Sequence, residues 1–419
     1  MKQKIRRTLV ICFLLISVLL MLSCGHSNSD QAETSSAGNR SFYLASVPVQ
    51  FEVTDSDIRI VFDFDGFAGK VDLISLHTDN FFGLPWDEFA GGALVQAWHT
   101  VMNQIKTEVE ALNVGVYLSL TPLSSMRNGI AAKALDQGGN LLIDNQWCPD
   151  CYNFDTDADN IRAAYLAYVR WMVDFFDPIF LTHGIEVDMY MDACPYEYNS
   201  LINLLNEVYD QEKAINPDLP IFPSFTAGGL WDYGDSGQCE VGDTTCLVAN
   251  LALQDSIKRD RFGVSAYPIF MQWEWEGIPQ DYFSALSELS GERVVFCETG
   301  WGSYPVTVPW PGPDDECFQV LTSSDDDQIE YMQFLFSQAD ELGSDLVVWW
   351  SLRDYLFEQF LTSCPCDSPG LWCLLYDTVN EDGLLPAFLM WGSMGVMDYN
   401  GQEKASYALW HEWRNRTIQ

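Results

Sequence analysis

The sequence predicts a (β/α)₈ barrel, also called a TIM barrel, because eight apolar strand-like runs alternate with helix-like segments along most of the chain. The runs are apolar at successive positions, as expected of parallel strands that are buried on both faces. The segments between them carry apolar residues three or four apart, which is typical of amphipathic helices. We expect the strands at 42–47, 71–77, 114–121, 180–191, 220–225, 262–267, 294–298 and 346–352.

The segments between these strands predict the helices and the loops that shape a binding face. Residues 55–68 are the weakest helix prediction, because 58–64 also alternate like a strand. Long loops rich in Gly, Pro and Cys follow strands three, seven and eight. These loops lie on the face of a barrel where ligands bind. The other helices are expected at 86–112, 159–176, 196–216, 279–289 and 328–342, and the long loops at 122–156, 300–327 and 362–386.

The N-terminus has the pattern of a bacterial export signal. Basic residues precede an apolar run at 9–22, and Cys24 follows in a context similar to a lipobox. We therefore expect a signal peptide at 1–23, a lipid on Cys24, a flexible tether at 24–40 and one barrel domain at 41–419. The protein would be a monomeric lipoprotein held at a membrane only by its lipid. The sequence does not indicate which side of the membrane it faces. Ordinary secretion is the alternative.

The charge of the chain restricts its partners. Sixty Asp and Glu residues against 21 Lys and Arg residues give a net charge of −39. Such a surface repels phosphate backbones and anionic lipids, so we expect no nucleic-acid partner. The charge also argues against polyanionic substrates, which leaves neutral ligands.

The cysteines indicate disulfides rather than a metal site. An exported chain with clustered cysteines usually pairs them, although the pairing does not follow from sequence. The segment Cys148-Pro-Asp-Cys151 has the spacing of zinc ligands, but no second segment of this kind exists. We expect disulfides, no metal and no cofactor.

Two carboxylates follow apolar strands and suggest a chemistry. Glu298 ends the run at 294–298, and Glu186 lies in the run at 180–191, where alternation would turn it and Asp188 toward the barrel axis. Acids on an inward face are costly unless they are paired or used in function. Two such groups above a barrel suit glycoside hydrolysis, in which one acts as general acid and the other as nucleophile or base. A capped strand end or a network of hydrogen-bonded acids is the structural alternative.

These residues resemble glycoside hydrolase clan A, whose barrels carry one glutamate after strand four and another after strand seven. The motif Glu-Thr-Gly-Trp at 298–301 looks like the nucleophile segment of its galactanase and glucanase branches. The arabinogalactan endo-β-1,4-galactanase family is the nearest relative that the motifs suggest. The resemblance spans about residues 42–414. It implies retention of configuration, with Glu186 as acid/base and Glu298 as nucleophile.

The resemblance also implies substrate-binding residues. Tyr267 would hydrogen-bond the nucleophile, and Trp350, at the end of strand eight, would form a sugar platform. Further candidates on the same face are Trp349, Trp301, His77, Asp79 and Asp188. Aromatic rings bind the C–H faces of sugars, although such residues are equally at home in a core.

The sequence departs from the clan at one position. Clan members generally place Asn before the acid/base glutamate, where it binds the sugar 2-hydroxyl, and here that residue is Ile185. A non-catalytic, glycan-binding lipoprotein on a degenerate barrel is therefore the main alternative function. A disulfide-rich structural lipoprotein is the third, and it predicts ordinary carboxyl pKa values.

Overall fold

The structure is a computed structural model that describes residues 38–53, 58–77, 79–147, 149–156, 160–231, 244–271, 277–308, 319–357 and 390–419. The predicted signal peptide, Cys24, Cys148 and the 362–386 loop lie outside these ranges. Gly38–Gln419 form one compact unit. In the part of the chain described, no helix is long and apolar enough to cross a bilayer.

Eight parallel strands form a barrel, as predicted, and each expected run contributes one of them. Hydrogen-bonded neighbours follow the chain order around the sheet, and the first strand pairs with the eighth. The strands are β1 Tyr43–Ser46, β2 Leu73–Leu76, β3 Gly115–Ser119, β4 Phe180–Thr182, β5 Ile221–Phe222 with Ser224–Thr226, β6 Phe262–Ala266, β7 Val294–Thr299 and β8 Leu346–Trp349.

The barrel closes through the two halves of β5. Ile221 pairs with Leu181 in β4, whereas Ser224 pairs with Gly263 in β6. Pro223 lies between the halves and has no N–H to donate to a ladder. One interrupted strand therefore joins the two edges of the sheet.

Helices cover the outside of the barrel. Seven helices of eight or more residues occur in the described ranges, and shorter helices and hairpins fill the loops. The long helices are α1 Gln96–Leu112, α2 Ile161–Phe176, α3 Tyr198–Ile215, α4 Thr244–Gln254, α5 Tyr282–Ser290, α6 Asp325–Glu341 and α7 Tyr407–Arg414. The short helices are Asp79–Phe82, Trp86–Phe89, Val187–Ala193 and Ala227–Trp231, with 3-10 turns at Asp65–Phe67, Asn145–Trp147 and Pro268–Met271.

Further short strands pair with one another outside the barrel sheet. Three antiparallel hairpins pair Val49–Val53 with Ile58–Phe62, Lys133–Gln137 with Asn140–Asp144, and Val306–Val308 with Gln319–Leu321. Leu356–Phe357 extends the first hairpin, and Asn39–Arg40 pairs with Thr417–Ile418. The prediction of a helix at 55–68 is wrong, because the two-residue alternation at Ile58–Phe62 forms a strand.

The prediction that strand four runs from 180 to 191 is also wrong. The strand ends at Thr182, and Val187–Ala193 form a helix. Val187 and Tyr190 lie three positions apart and are both fully buried. In a strand these two residues would face opposite sides, whereas in a helix they share one face, so their common burial fits the helix.

Side chains of the strands divide between two apolar layers. One layer lies between strands and helices, and a smaller one fills the barrel interior. Along β2, Leu73 belongs to the interior layer, while Ile74 and Leu76 belong to the outer one. This alternation decides which residues at the strand ends reach the mouth of the barrel.

A disulfide joins Cys151 to Cys194, across a sequence separation of 43. Cys246 is disulfide-bonded as well. The bond at Cys151 contradicts the zinc alternative, because a sulfur in a disulfide is not available as a thiolate ligand. It ties the loop after β3 to the Val187–Ala193 helix.

Replacing Cys151 and Cys194 together by Ser should lower the free energy of unfolding by about 2–4 kcal/mol, since the unfolded chain loses a constraint over a long loop. Urea unfolding of the variant and of the parent protein measures the difference. An unchanged urea midpoint would contradict a stabilising role for this bond.

Candidate active site

Glu298 enters the barrel mouth because β7 carries a bulge. Val264 pairs with Phe296, but the next residue of β6, Ser265, pairs with Glu298, so Cys297 is the extra residue. Strict alternation after the inward-facing Val295 and Cys297 would have turned Glu298 toward the helices. A bulge re-aims a side chain, and bulges are frequent beside active sites.

The surroundings of Glu298 disfavour its charge. The residue is 8% exposed, and the Tyr267 hydroxyl donates a hydrogen bond to its Oε2 at 3.3 Å. Burial, then the negative charge of Glu186, raises the pKa of Glu298 to about 8, although Arg127 and Tyr267 act in the opposite direction. The third interpretation, a purely structural lipoprotein, predicted ordinary carboxyl pKa values, whereas the pKa of Glu298 is raised.

Glu186 lies in a tight turn between β4 and the Val187–Ala193 helix. Its φ of 50° is left-handed, a conformation that costs a non-glycine residue about 1–2 kcal/mol. Its backbone N–H donates to Ser224 Oγ at 3.0 Å, which fixes the turn to β5. As the N-cap residue, it makes no side-chain capping bond, so its carboxylate is directed elsewhere. Strained residues of this kind cluster at functional sites.

Arg127 is a site residue that the sequence interpretation missed. Its Nη2 lies 3.2 Å from Glu186 Oε2, and its side chain is 5% exposed. The residue belongs to the long loop after β3, which the sequence did assign to the binding face. A cation in that loop of so acidic a chain was the available signal, but its contact with Glu186 depends on the folded loop.

His77 follows β2 and contacts the same carboxyl group. Its Nδ1 is 3.6 Å from Glu298 Oε1, and its Nε2 is hydrogen-bonded to Ser75 Oγ at 3.0 Å. Burial, and secondarily the charge of Arg127, lowers the pKa of His77 to about 3. The imidazole is therefore neutral at physiological pH, and its contact with Glu298 is not an ion pair.

The three predicted tryptophans occupy different layers. Trp350 belongs to the interior layer, packs edge-on against His77 at a 5.0 Å centroid distance, and donates through Nε1 to Tyr355 at 3.0 Å. Trp349 and Trp301 belong to the outer layer, and Trp301 lies beside Tyr331. As sugar-binding candidates, Trp349 and Trp301 need correction, because rings packed between strands and helices offer no face to a ligand.

Asp188 does not reach the site as expected. Asp188 is in the helix after Glu186 and accepts hydrogen bonds from the backbone N–H of Thr226, at 2.9 Å, and from the Thr226 hydroxyl. Burial raises its pKa to about 7. Asp188 thus anchors the helix to β5 rather than binding a ligand, which corrects the prediction. Asp79 begins the Asp79–Phe82 helix.

Below the carboxylates, the barrel interior is closed. Tyr117 Oη and Thr182 Oγ1 are 2.8 Å apart, and Cys297 Sγ lies 3.9 Å from the same threonine oxygen. All three residues are buried, and burial raises the pKa of the Cys297 thiol to about 12. Among the described residues, these three side chains therefore fill the barrel interior beneath the two carboxyl groups.

No protein-family model and no curated protein matches this chain. Solved structures do match. The exo-β-1,4-mannosidase Op5Man5 from Opitutaceae bacterium strain TAV5 is 13% identical, with a TM-score of 0.50, over 91% of this chain and 61% of that one. Xylanase10C from Cellvibrio japonicus, solved with xylopentaose, is 10% identical, with a TM-score of 0.51, over 90% of this chain and 68% of that one.

Two fungal β-1,4-galactanases also match, with a TM-score of 0.46 at 14% identity, over 83% of this chain and 90% of theirs. The galactanase resemblance accordingly stays a prediction. The chain spans about three fifths of the length of the mannosidase. At these identities the likeness concerns the fold alone, and it confirms the predicted (β/α)₈ barrel.

Proposed function

We propose that this chain is a retaining glycoside hydrolase that cleaves a neutral β-linked poly- or oligosaccharide. The observation that carries the proposal is that Glu186 and Glu298 lie at one end of the barrel, where the charge of Glu186 contributes to the raised pKa of Glu298. Tyr267 and Arg127 each bind one of the two carboxyl groups. The barrel shared with a mannosidase and a xylanase supports the same chemistry.

In the first step, the Glu298 carboxylate attacks the anomeric carbon while Glu186 protonates the departing glycosidic oxygen. The carbon–oxygen bond of the substrate breaks as the ester bond to Glu298 forms. The Tyr267 hydroxyl, at 3.3 Å from Glu298 Oε2, orients the attacking group. Trp350 contacts the sugar ring on the non-reducing side of the scissile bond.

In the second step, water attacks the anomeric carbon of the glycosyl-enzyme. Glu186, now ionised, takes the proton of that water, and the bond to Glu298 breaks with return of its carboxylate. Two inversions at one carbon give net retention. Proton NMR of the first-formed anomer tests this stereochemistry.

The favoured alternative to catalysis is glycan binding, and Ile185 is the observation behind it. This residue is 1% exposed and offers no polar group to a sugar hydroxyl. Galactans, glucans, mannans and xylans are suitable test substrates. Binding without release of reducing ends would favour the alternative.

Changing Glu298 to Gln should lower turnover of a cleaved substrate by about 10³-fold or more, because the nucleophile is lost. Changing Glu186 to Gln should lower it by about 10²–10⁴-fold, because the general acid is lost. Reducing-end release under saturating substrate measures both effects. Glu212→Gln is the matched control, since Glu212 is also buried but pairs with Arg170 at 2.9 Å on the outer helices. Full activity in Glu298→Gln would refute the assignment.

The raised pKa of Glu298 predicts an alkaline requirement. The nucleophile must be ionised, and its pKa in the empty site is about 8 instead of 4.5. The kcat/KM value should therefore rise with pH up to about pH 8, whereas an ordinary glutamate would complete its rise near pH 5. A profile of kcat/KM from pH 4 to about pH 10 decides between these outcomes.

The same shift predicts a pH-dependent gain of stability in Glu298→Gln. Between pH 4.5 and about 8 the folded state holds a proton on Glu298 that the unfolded state has released. The free energy of unfolding of the wild type therefore falls as pH rises across this range. Glutamine carries no such proton. The variant should gain melting temperature over the wild type at about pH 8.5 and show less gain at about pH 5. An equal difference at both pH values would count against a buried, uncharged Glu298.

We also propose that Cys24 carries a lipid that holds the protein at a membrane. The lipobox-like context and the basic, apolar segment before it support the proposal. Expressed in a bacterial host, the wild type should partition into the detergent phase of a Triton X-114 extraction, and Cys24→Ser should move to the aqueous phase. Aqueous partitioning of both proteins would favour ordinary secretion.

A further inference from the structure

Arg127 is held in place by its own turn. Its backbone N–H and its Nη1 both donate to the carbonyl of Ser124 at 2.9 Å, and Ser124 N–H donates to the carbonyl of Gly129, also at 2.9 Å. The φ of Arg127 is 57°, which is left-handed, as at Glu186. Both partners of the ion pair thus lie in turns that the surrounding structure must enforce.

The turn of Arg127 is braced against the helix that follows Glu186. The Cys151 N–H donates to the Asn128 carbonyl at 2.9 Å, and Cys151 is disulfide-bonded to Cys194. Cys194 ends the Val187–Ala193 helix, with its N–H bonded to the Tyr190 carbonyl at 2.8 Å. Hydrogen bonds and one disulfide therefore connect the turn of Arg127 to the helix that follows Glu186.

Charges around Glu298 come from several elements. His77 is neutral, and the tyrosine hydroxyls keep their protons because burial raises their pKa values. When Glu298 is ionised, its charge therefore faces one positive group, the guanidinium of Arg127. The titratable groups that act on Glu298 or feel its charge are His77 after β2, Arg127 after β3, Glu186 after β4, Tyr267 after β6, Cys297 in β7 and Tyr355 after β8.

We propose that Arg127 is a positioning residue of this site: its guanidinium holds the Glu186 carboxyl group in place, first as acid and then as base, and supplies the positive charge that allows Glu298 to ionise nearby. The proposal deepens the glycosidase function and rests on it for its kinetic readout. Its structural basis is the 3.2 Å contact with Glu186 and the braced turn. Arg127 also opposes the raised pKa of Glu298, as an unlike charge does.

The test is the pH dependence of Arg127→Gln. Without the positive charge, the acidic limb of the kcat/KM profile should move to higher pH by about one unit, and kcat/KM at pH 6 should fall about 10-fold or more. Arg127→Lys keeps the charge but loses the planar fork. This variant should keep the limb within about 0.3 units while kcat falls several-fold. A lower rate with an unmoved limb in Arg127→Gln would overturn the proposal.

A readout without turnover separates this proposal from the proposed function. In protein labelled with ¹³C at the glutamate carboxyl carbons, the Glu298 resonance, assigned with Glu298→Gln, should titrate at higher pH in Arg127→Gln than in the wild type. If the wild type hydrolyses none of the glycans, this shift still supports the role of Arg127, and its absence overturns it. If Arg127→Gln does not fold, a shift of the Glu298 titration in Arg127→Lys overturns the proposal, and an unchanged titration supports it.

Arg259→Gln is the matched control. Arg259 is similarly buried, with a side chain 6% exposed, but it pairs with Glu292 at 2.7 Å before β6 and β7, at the other end of the barrel. The variant should lose stability and keep the wild-type pH profile. An equal shift in Arg259→Gln would show that the profile responds to lost stability rather than to charge in the site, and would overturn the proposal.

Discussion

The burial of negative charge at the mouth of the barrel is the constraint on which the site depends. Removing a carboxylate from water is costly unless an opposite charge or hydrogen bonds compensate it. Glu186 has the guanidinium of Arg127 at 3.2 Å, whereas Glu298 has a tyrosine hydroxyl at 3.3 Å and a neutral imidazole. This asymmetry, together with burial and the charge of Glu186, explains why the pKa of Glu298 is raised to about 8.

The barrel supplies the geometry for this arrangement through two departures from regular structure. The bulge at Cys297 turns Glu298 toward the mouth, and the left-handed turn at Glu186 ends β4 before the helix begins. Regular alternation places the remaining partner, since His77 follows Leu73 and Ser75 on the inward face of β2. Both carboxylates therefore sit where the local backbone differs from an ideal strand or helix.

The barrel itself followed from the sequence because strands buried on both faces are continuous apolar runs, and all eight are present. The end of β7 located Glu298 for the same reason. The segment after β4 was harder, because the alternating Val187, Met189 and Met191 fit a strand, while Val187 and Met191, four positions apart, also fit a helix. The role of Arg127 could not be predicted from the sequence, since it arises from a disulfide and a turn that join distant segments. Because side chains alternate along β8, Trp349 and Trp350 belong to opposite layers, and this assignment requires only the position of the strand end.

Ile185, which stands where clan members place Asn, is weaker support for a degenerate site in the folded protein than it is in the sequence. An apolar side chain beside the acid/base cannot bind a sugar hydroxyl, and this supported a degenerate site. In the structure Ile185 is buried, while Arg127 brings a guanidinium, with its several N–H donors, to the adjacent carboxylate from another loop. The polar donors next to Glu186 therefore come from a buried cation in a braced, left-handed turn rather than from the residue that precedes the glutamate, which supports the proposed function in spite of Ile185.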